Sequence, residues 1–381
     1  MTFIPPLDLK TQYKTIKSDV DAAVLSVLQS GQYIKGSYVE RFEQEFADYS
    51  GTTYSVACNS GTDALLLAMR AFDIGPGDEV ITSPFTFIAT AEMISAVGAT
   101  PVFVDIEPNG FNIDCHAIAD KITPRTRAII PVHLFGQPVN MSVLMDVAQA
   151  HNLIVIEDCA QATGATWQGQ RVGSIGHVGC FSFYPTKNLG AFGDGGAVTT
   201  NDKAIADKIR VLADHGREEG YYHKVVGVNS RLDAVQAAIL SVKLKYLDQW
   251  NTRRQAVAAN YSQLLAPIPR LTLPQSIDDG ESIWNQYTIR ITASRGSSAS
   301  NASLRDDVRL ALKEKGVGTA VYYPLPLHLQ PVYQHLNYQV GQLPVSERAA
   351  NEVLSLPMFP ELSTDQQEKV MYALKDVTFD Q

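Results

Sequence analysis

Short apolar runs alternate with amphipathic stretches through the first two-thirds of the chain. After the turn Gly75-Pro76-Gly77-Asp78, residues 79–83 read as a strand, 87–97 as a helix, 101–105 and 128–134 as strands, and 141–151 as a helix. Leu153-Ile154-Val155-Ile156 is an unbroken apolar run, the pattern of a strand buried on both faces, as in a parallel sheet. Strands separated by helices in this way are βαβ units, so the expected class is α/β with a mostly parallel sheet. From Asp233 onward Val235, Ile239, Val242 and Tyr246 recur at helical spacing, which predicts one helix running toward Trp250 and joining two domains. Beyond it the pattern shifts to a strand over 287–291, a serine-rich surface loop over 294–303, and helices over 303–315 and 364–375 that would pack on a small sheet. The chain contains no internal repeat.

With 381 residues and 45% hydrophobic content, the chain exceeds the usual single-domain size and has enough apolar surface for a sizeable core. The expected division is 1–250 and 251–381, with the N-terminal segment a candidate to pack on the smaller domain. A formal net charge of −9 argues against a nucleic-acid surface, which needs a basic footprint. No stretch has the character of a secretory leader or the length of a membrane span, so a soluble cytoplasmic protein is expected. Cys58, Cys115, Cys159 and Cys180 lack metal-type spacing and read as small apolar residues in a reducing compartment; no histidine lies near Cys58 or Cys159 in sequence to make either a catalytic thiol.

Three local features carry candidate chemistry. Lys187 lies in Phe181-Ser182-Phe183-Tyr184-Pro185-Thr186-Lys187-Asn188-Leu189-Gly190, between two predicted strands. A lysine becomes a nucleophile only where desolvation or nearby cations disfavour its charge, and Phe181, Phe183 and Leu189 are candidates to supply the desolvation. A solvated surface lysine is the plain alternative. Asp158 falls just past the carboxyl end of the buried strand, where α/β sheets bind ligands, although a lone aspartate there also suits a helix cap. In Asn59-Ser60-Gly61-Thr62, a small polar cap precedes a good helix former, so amide groups and the positive helix end converge where a phosphate would fit; an ordinary capped helix has the same pattern. Together and in this order they supply what pyridoxal 5'-phosphate requires: a phosphate anchor, a carboxylate for the pyridine nitrogen, and an amine.

The chain resembles the DegT/DnrJ/EryC1/StrS family of pyridoxal-phosphate-dependent sugar aminotransferases along essentially its whole length. The resemblance rests on Pro6-Leu7-Asp8-Leu9, Gly77-Asp78-Glu79-Val80-Ile81, Thr86-Phe87-Ile88-Ala89-Thr90, Pro101-Val102-Phe103-Val104-Asp105, Glu157-Asp158-Cys159-Ala160-Gln161, the Lys187 run, Gly227-Val228-Asn229-Ser230-Arg231-Leu232-Asp233 and Leu356-Pro357-Met358-Phe359-Pro360. It implies fold type I: a large domain with a mostly parallel seven-stranded sheet between helices, and a smaller α+β C-terminal domain. It further implies that Lys187 bonds the cofactor and moves the substrate proton, Asp158 pairs with the pyridine nitrogen, and Gln161 hydrogen-bonds the ring oxygen. Phe87 would stack on the ring; on sequence alone it reads equally as a core aromatic. Gly61, Thr62 and Ser182 would hold the phosphate, with Asn229 reaching it from the partner of a homodimer with shared active sites. Relatives that dehydrate sugars have histidine at the lysine position, so Lys187 favours transamination.

Arg217 and Tyr221-Tyr222-His223-Lys224 precede Asn229 and Arg231 in a region that helps form the nucleotide-sugar pocket of related enzymes; a solvated charged loop is the alternative. In Tyr322-Tyr323-Pro324-Leu325-Pro326-Leu327-His328, the prolines stiffen a loop that would present Tyr323 and His328 to a sugar. The expected substrate is a nucleotide-linked keto-sugar, most resembling a 3-keto sugar on dTDP or UDP, with L-glutamate as amino donor and 2-oxoglutarate as product; 4-keto amination, dehydration and a non-catalytic regulatory role are the rivals. No metal ligand set is expected.

Overall fold

The structure is a computed structural model and describes residues 3–292 and 301–379. Its main sheet contains Tyr54–Cys58 (β1), Glu79–Thr82 (β2), Thr100–Phe103 (β3), Thr126–Ile130 (β4), Ile154–Asp158 (β5), Val178–Ser182 (β6) and Gly196–Thr200 (β7), in the order β1-β7-β6-β5-β4-β2-β3. Only β7 runs against its neighbours, pairing Cys58 with Gly196 on one side and Ser182 with Gly196 on the other. Two apolar clusters cover the sheet's faces, one around Leu65, Leu67, Ile156 and Ile209 and the other around Phe42, Phe46, Phe181 and Phe183. This is the mostly parallel seven-stranded α/β architecture expected.

The chain bounds differ from the periodicity where backbone chemistry intervenes. The strand read over 128–134 ends at Ile130 because Pro131 has no N–H for a ladder, and Val132 makes only an isolated bridge to Asp158. The helix read from residue 87 begins at Ala89, leaving Phe87 in the preceding turn. The single helix read from Asp233 is two, Ala234–Leu244 and Leu247–Leu265. At the break Lys243 turns its ammonium inward to the Gly190 carbonyl, and the Tyr246 hydroxyl donates to Asp19 Oδ2 at 2.7 Å.

The helix Leu247–Leu265 contributes Leu247 to the core of the main sheet and Val257, Tyr261 and Leu265 to a second core. That second core packs a three-stranded antiparallel sheet, Leu271–Thr272 (β8), Tyr287–Ile291 (β9) and Val353–Leu356 (β10), against helices Asn301–Glu314 and Thr364–Phe379. Ile4 joins it through a bridge to Val317, and Met358 N–H donates to the Pro6 carbonyl at 3.1 Å, so the N-terminal segment lies against the C-terminal half. Of the loop read over 294–303, residues 293–300 lie outside the described residues, and Asn301 already opens a helix.

Candidate active site

The carboxyl ends of β1, β2, β5 and β6 meet at a cavity of about 730 Å³, within the range of small-molecule sites. Ser60, Gly61, Thr62, Phe87, Asp158, Gln161, Ser182, Lys187, Gln286, Tyr322 and Tyr323 are among its walls. Residues far apart in sequence converge because parallel strands open their ends on one side of the sheet.

Ser60 is the N-cap of the helix Gly61–Ala71, its hydroxyl accepting from Asp63 N–H at 3.1 Å. The backbone here is pressed against neighbours: a Cβ on Gly61 would stand 2.6 Å from Ser182 Cβ, and one on Gly196 would stand 2.4 Å from the Ser60 carbonyl. Only glycine allows this close approach, and the result is a cradle of helix-start amides, Thr62 and Ser182 facing the cavity.

Asp158 ends β5 and is buried. Its Oδ2 accepts from the Thr90 hydroxyl at 2.9 Å and its Oδ1 from Ala160 N–H at 3.1 Å, while its own N–H and carbonyl bond Pro131 and His133. Burial pushes this carboxyl above the usual range; the Ala160 and Thr90 bonds and the Lys187 charge oppose the shift. The Asp158 carboxyl thus lines the cavity and is held by Thr90 from another element as well as by Ala160 N–H, which is more than a helix cap requires.

Lys187 lies in a tight turn whose N–H donates to the Tyr184 carbonyl at 2.9 Å. Burial lowers its ammonium from 10.5 to about 8, partly offset by Asp158. Phe181, Phe183 and Leu189 do not line the cavity. Those three belong to the core around Phe42 and Phe46; Phe181, in β6, faces away from Ser182 because alternate strand positions face opposite ways. The aromatic part of the cavity wall is Phe87, Tyr184, Tyr322 and Tyr323.

Phe87 is 57% exposed, so it is a cavity residue and not the core aromatic that sequence alone allowed. Gln161 Oε1 accepts from Phe135 N–H at 2.7 Å, which commits its amide nitrogen as a donor; that nitrogen reaches the Tyr323 hydroxyl at 3.2 Å. Thr90, Thr86, whose hydroxyl lies 3.2 Å from that of Thr90, and Gln286 were not assigned roles from sequence. Thr86 lies in the turn before the helix and Thr90 in its first turn, so their meeting depends on the turn between them.

Five sequence candidates stand outside this cavity. His328 is a correction: its side chain is 1% exposed, with Nε2 at 3.1 Å from Glu347 Oε1 and its ring against Tyr338. The turn Leu327–Leu329 places the imidazole in packing, outside the cavity lining. Tyr222 and His223 form a two-residue strand against Arg217–Glu219, with Tyr222 83% exposed. Arg231 donates to Asp214 Oδ1 at 3.1 Å, and Asn229 is exposed and bridged to Asp214 through its backbone. Asp214 also bonds Lys35 and Arg217; burial would raise its carboxyl, but those cations hold it at about 2.

His133, Glu157 and Cys159 cluster close to one another in the interior. Glu157 accepts from the N–H groups of Gly173, Ile175 and Gly176 and from His133, whose Nδ1 in turn accepts from Val139 N–H. Both oxygens of the carboxylate are thus engaged, by the 173–176 turn and by His133. All four cysteines are free and buried, and burial raises the thiols of Cys58, Cys115, Cys159 and Cys180.

The glycine-lined cradle, the buried Asp158 and the depressed Lys187 fit pyridoxal phosphate: the cradle is sized by missing side chains, and the cavity offers an acid and an amine together. Among the described residues no helix is long and apolar enough to cross a membrane.

A family model described as the DegT/DnrJ/EryC1/StrS aminotransferase family matches residues 14–375. The chain is 48% identical to a "Pleiotropic regulatory protein" of Geobacillus stearothermophilus, over 97% of this chain and 96% of that one. It is 44% identical to the UDP-2-acetamido-2-deoxy-3-oxo-D-glucuronate aminotransferase of Pseudomonas aeruginosa, over 94% and 96%. The X-ray structure of S. venezuelae DesV in complex with a ketimine intermediate superposes with a TM-score of 0.94 at 44% identity, covering 99% of this chain and 98% of that one.

Proposed function

The chain belongs to the DegT/DnrJ/EryC1/StrS aminotransferase family, and we propose that it uses pyridoxal phosphate to move an amino group from L-glutamate to a nucleotide-linked 3-keto sugar. The observation that carries this reading is the meeting of Lys187 and Asp158 in one cavity with the Gly61 cradle. The 3-keto preference draws on the Pseudomonas aeruginosa relative, whose name specifies a 3-oxo substrate.

When bound, the cofactor supplies a protonated pyridine ring that accepts the electron pair left when a proton departs from the substrate carbon. In this reading Gly61, Thr62 and Ser182 bind its phosphate. Asp158 holds a proton on the ring nitrogen, and Thr90 keeps that carboxylate oriented. Gln161 donates its amide N–H to the ring oxygen, a sense fixed by Phe135. Phe87, Tyr322 and Tyr323 exclude water. Lys187 anchors the cofactor, then takes a proton from the amine-bearing carbon of glutamate and later returns one to the former ketone carbon of the sugar. An amine of about 8 serves both transfers near neutral pH, since it gives and takes a proton with little penalty.

We further place residues 1–250 and 251–381 in a large and a small domain, and the enzyme in the cytoplasm as a homodimer in which Asn229 serves the partner's site. The regulatory name of the Geobacillus stearothermophilus relative does not displace this reading, because the amine, the acid and the cradle all stand in place here. The test is a panel of dTDP- and UDP-linked 3-keto and 4-keto sugars offered with glutamate and read by product mass. Amination confined to 4-keto substrates would overturn the 3-keto assignment, and turnover without glutamate would indicate dehydration.

A further inference from the structure

The residue after Lys187 is fixed on every side. Asn188 is buried, its Nδ2 donating to Asn251 Oδ1 at 2.7 Å and to the Ile283 carbonyl at 3.1 Å, and its Oδ1 accepting from Asn285 Nδ2 at 2.8 Å. Asn251, on the helix joining the two cores, donates its own Nδ2 to the Thr163 carbonyl at 3.1 Å. Each amide has one possible orientation, since a flip would set donor against donor or acceptor against acceptor.

The same short segment also reaches Gln161, a second residue of the cavity wall. Asn285 N–H donates to the Phe135 carbonyl at 2.9 Å, and Phe135 N–H donates to Gln161 Oε1 at 2.7 Å. Phe135 sits at φ 58, the left-handed region, which places its two peptide groups toward these partners. Gln161 then reaches Tyr323. Asn285 thus bonds, with its side chain, the neighbour of the reactive lysine and, with its backbone, the peptide that orients the ring-facing amide.

A buried amide network in a protein of this size can be plain packing, worth stability and nothing else. What separates this one is its placement: both of its ends stop one residue or one hydrogen bond short of a group that faces the cavity. Resting on the assignment of Lys187 as the cofactor-bearing amine, we propose that Asn285, acting through Asn188 and Phe135, is a positioning residue that keeps Lys187 and Gln161 in register within the cavity. It touches neither substrate nor cofactor. Deleting its side chain strands the buried Oδ1 of Asn188 without a donor, so Asn188 must turn or admit water, and the Lys187 turn moves with it.

The test uses the holoenzyme. Asn285→Ala keeps the backbone bond to Phe135 and removes the donor to Asn188. Gln367→Ala is the control, because Gln367 is an equally buried amide that donates to the Val257 carbonyl at 2.8 Å inside the second core, away from the cavity. Three quantities are compared with the parent: the pH midpoint of the visible absorbance of the lysine-linked cofactor, the steady-state constants, and the thermal midpoint. Asn285→Ala is expected to move the absorbance midpoint by about half a pH unit or more and to lower kcat about tenfold, with KM for glutamate held within about threefold. Gln367→Ala is expected to lower the thermal midpoint alone. The proposal is overturned if Asn285→Ala loses stability yet keeps the parental absorbance midpoint and kcat, or if both variants shift alike. Should Asn285→Ala not fold, Asn188→Ser is judged by the same two criteria. A parent with no lysine-linked absorbance would instead sink the assignment of Lys187, a separate result.

Discussion

The hydroxyl of Thr90 lies 2.9 Å from Oδ2 of Asp158 and donates to it, so the acid at the end of β5 is held from the first turn of a helix that follows β2. Without this bond the buried carboxyl would rise further, because the Thr90 hydroxyl is among the groups opposing the effect of burial. Thr90→Val keeps the shape and removes the donor. It is expected to lower kcat about tenfold, the worth of one hydrogen bond to a charged group, while Thr90→Ser stays near the parent. Steady-state rates on the two variants check this; equal rates would show the bond to be structural only.

The pH dependence of cofactor capture follows from the depressed Lys187. Only the neutral amine attacks an aldehyde, so capture by cofactor-free protein is expected to quicken about tenfold per pH unit and level off near pH 8, whereas an ordinary lysine at 10.5 would keep climbing. Borohydride should then fix the cofactor to Lys187, and Lys187→Ala should retain none covalently. Stopped-flow absorbance across pH 6–10.5 reads the profile, and a rise that continues past pH 9 contradicts a desolvated amine.

How much of this was legible in the chain depends on the distance over which each feature is encoded. Lys187, Asp158 and Gly61 carry local signals: a strand end, a capped helix start, a turn between strands. So does the parallel sheet, because an unbroken run such as Leu153 to Ile156 can be satisfied only by burial on both faces. His328 was misread because its neighbours Pro324 and Pro326 announce a rigid loop but not which way the imidazole points; Glu347 and Tyr338, which decide that, are far along the chain. That Phe181 and Phe183, candidates to desolvate Lys187, belong to the core has a related reason. They flank Ser182, and the period of two that sends Ser182 to the cavity sends them to the core. The Asn188, Asn251 and Asn285 junction has no local signature at all, since single asparagines read as turn or cap residues until the fold brings them together.

Asp214 gives a stability prediction with a definite sign. Its carboxyl is held at about 2 by Lys35 and Arg217 against burial, so folded protein binds that proton less readily than unfolded chain. The stabilisation is complete above the unfolded value of 3.8 and disappears as pH falls through about 2. Asp214→Asn is therefore expected to cost about 1–2 kcal/mol at pH 7, allowing for the partial exposure of its cationic partners. Urea unfolding at pH 7 and pH 3 checks it: the gap between variant and parent should narrow at the lower pH. A gap that is the same at both would mean that charge is not its source.

The last prediction concerns Asn229, which is exposed and is not among the residues around the Lys187 cavity of its own chain. Its backbone is bridged to Asp214, and Lys35, Arg217 and Arg231 converge on that same carboxylate, so the segment is held firmly while its side chain faces outward. A side chain fixed in this way serves a cavity only if a second copy brings one to it. In a shared-site dimer, Lys187→Ala and Asn229→Asp would each be inactive alone, the first for want of the amine and the second because the added carboxylate repels the cofactor phosphate. In a mixed dimer, one site would combine the intact Lys187 of one chain with the intact Asn229 of the other. Mixing the two proteins is therefore expected to restore activity approaching one functional site per mixed dimer, with subunit exchange verified by differently tagged chains co-purifying. If verified mixed dimers are no more active than either parent, while Asn229→Asp remains folded and poor in cofactor, then Asn229 acts within its own subunit and the shared-site arrangement is wrong.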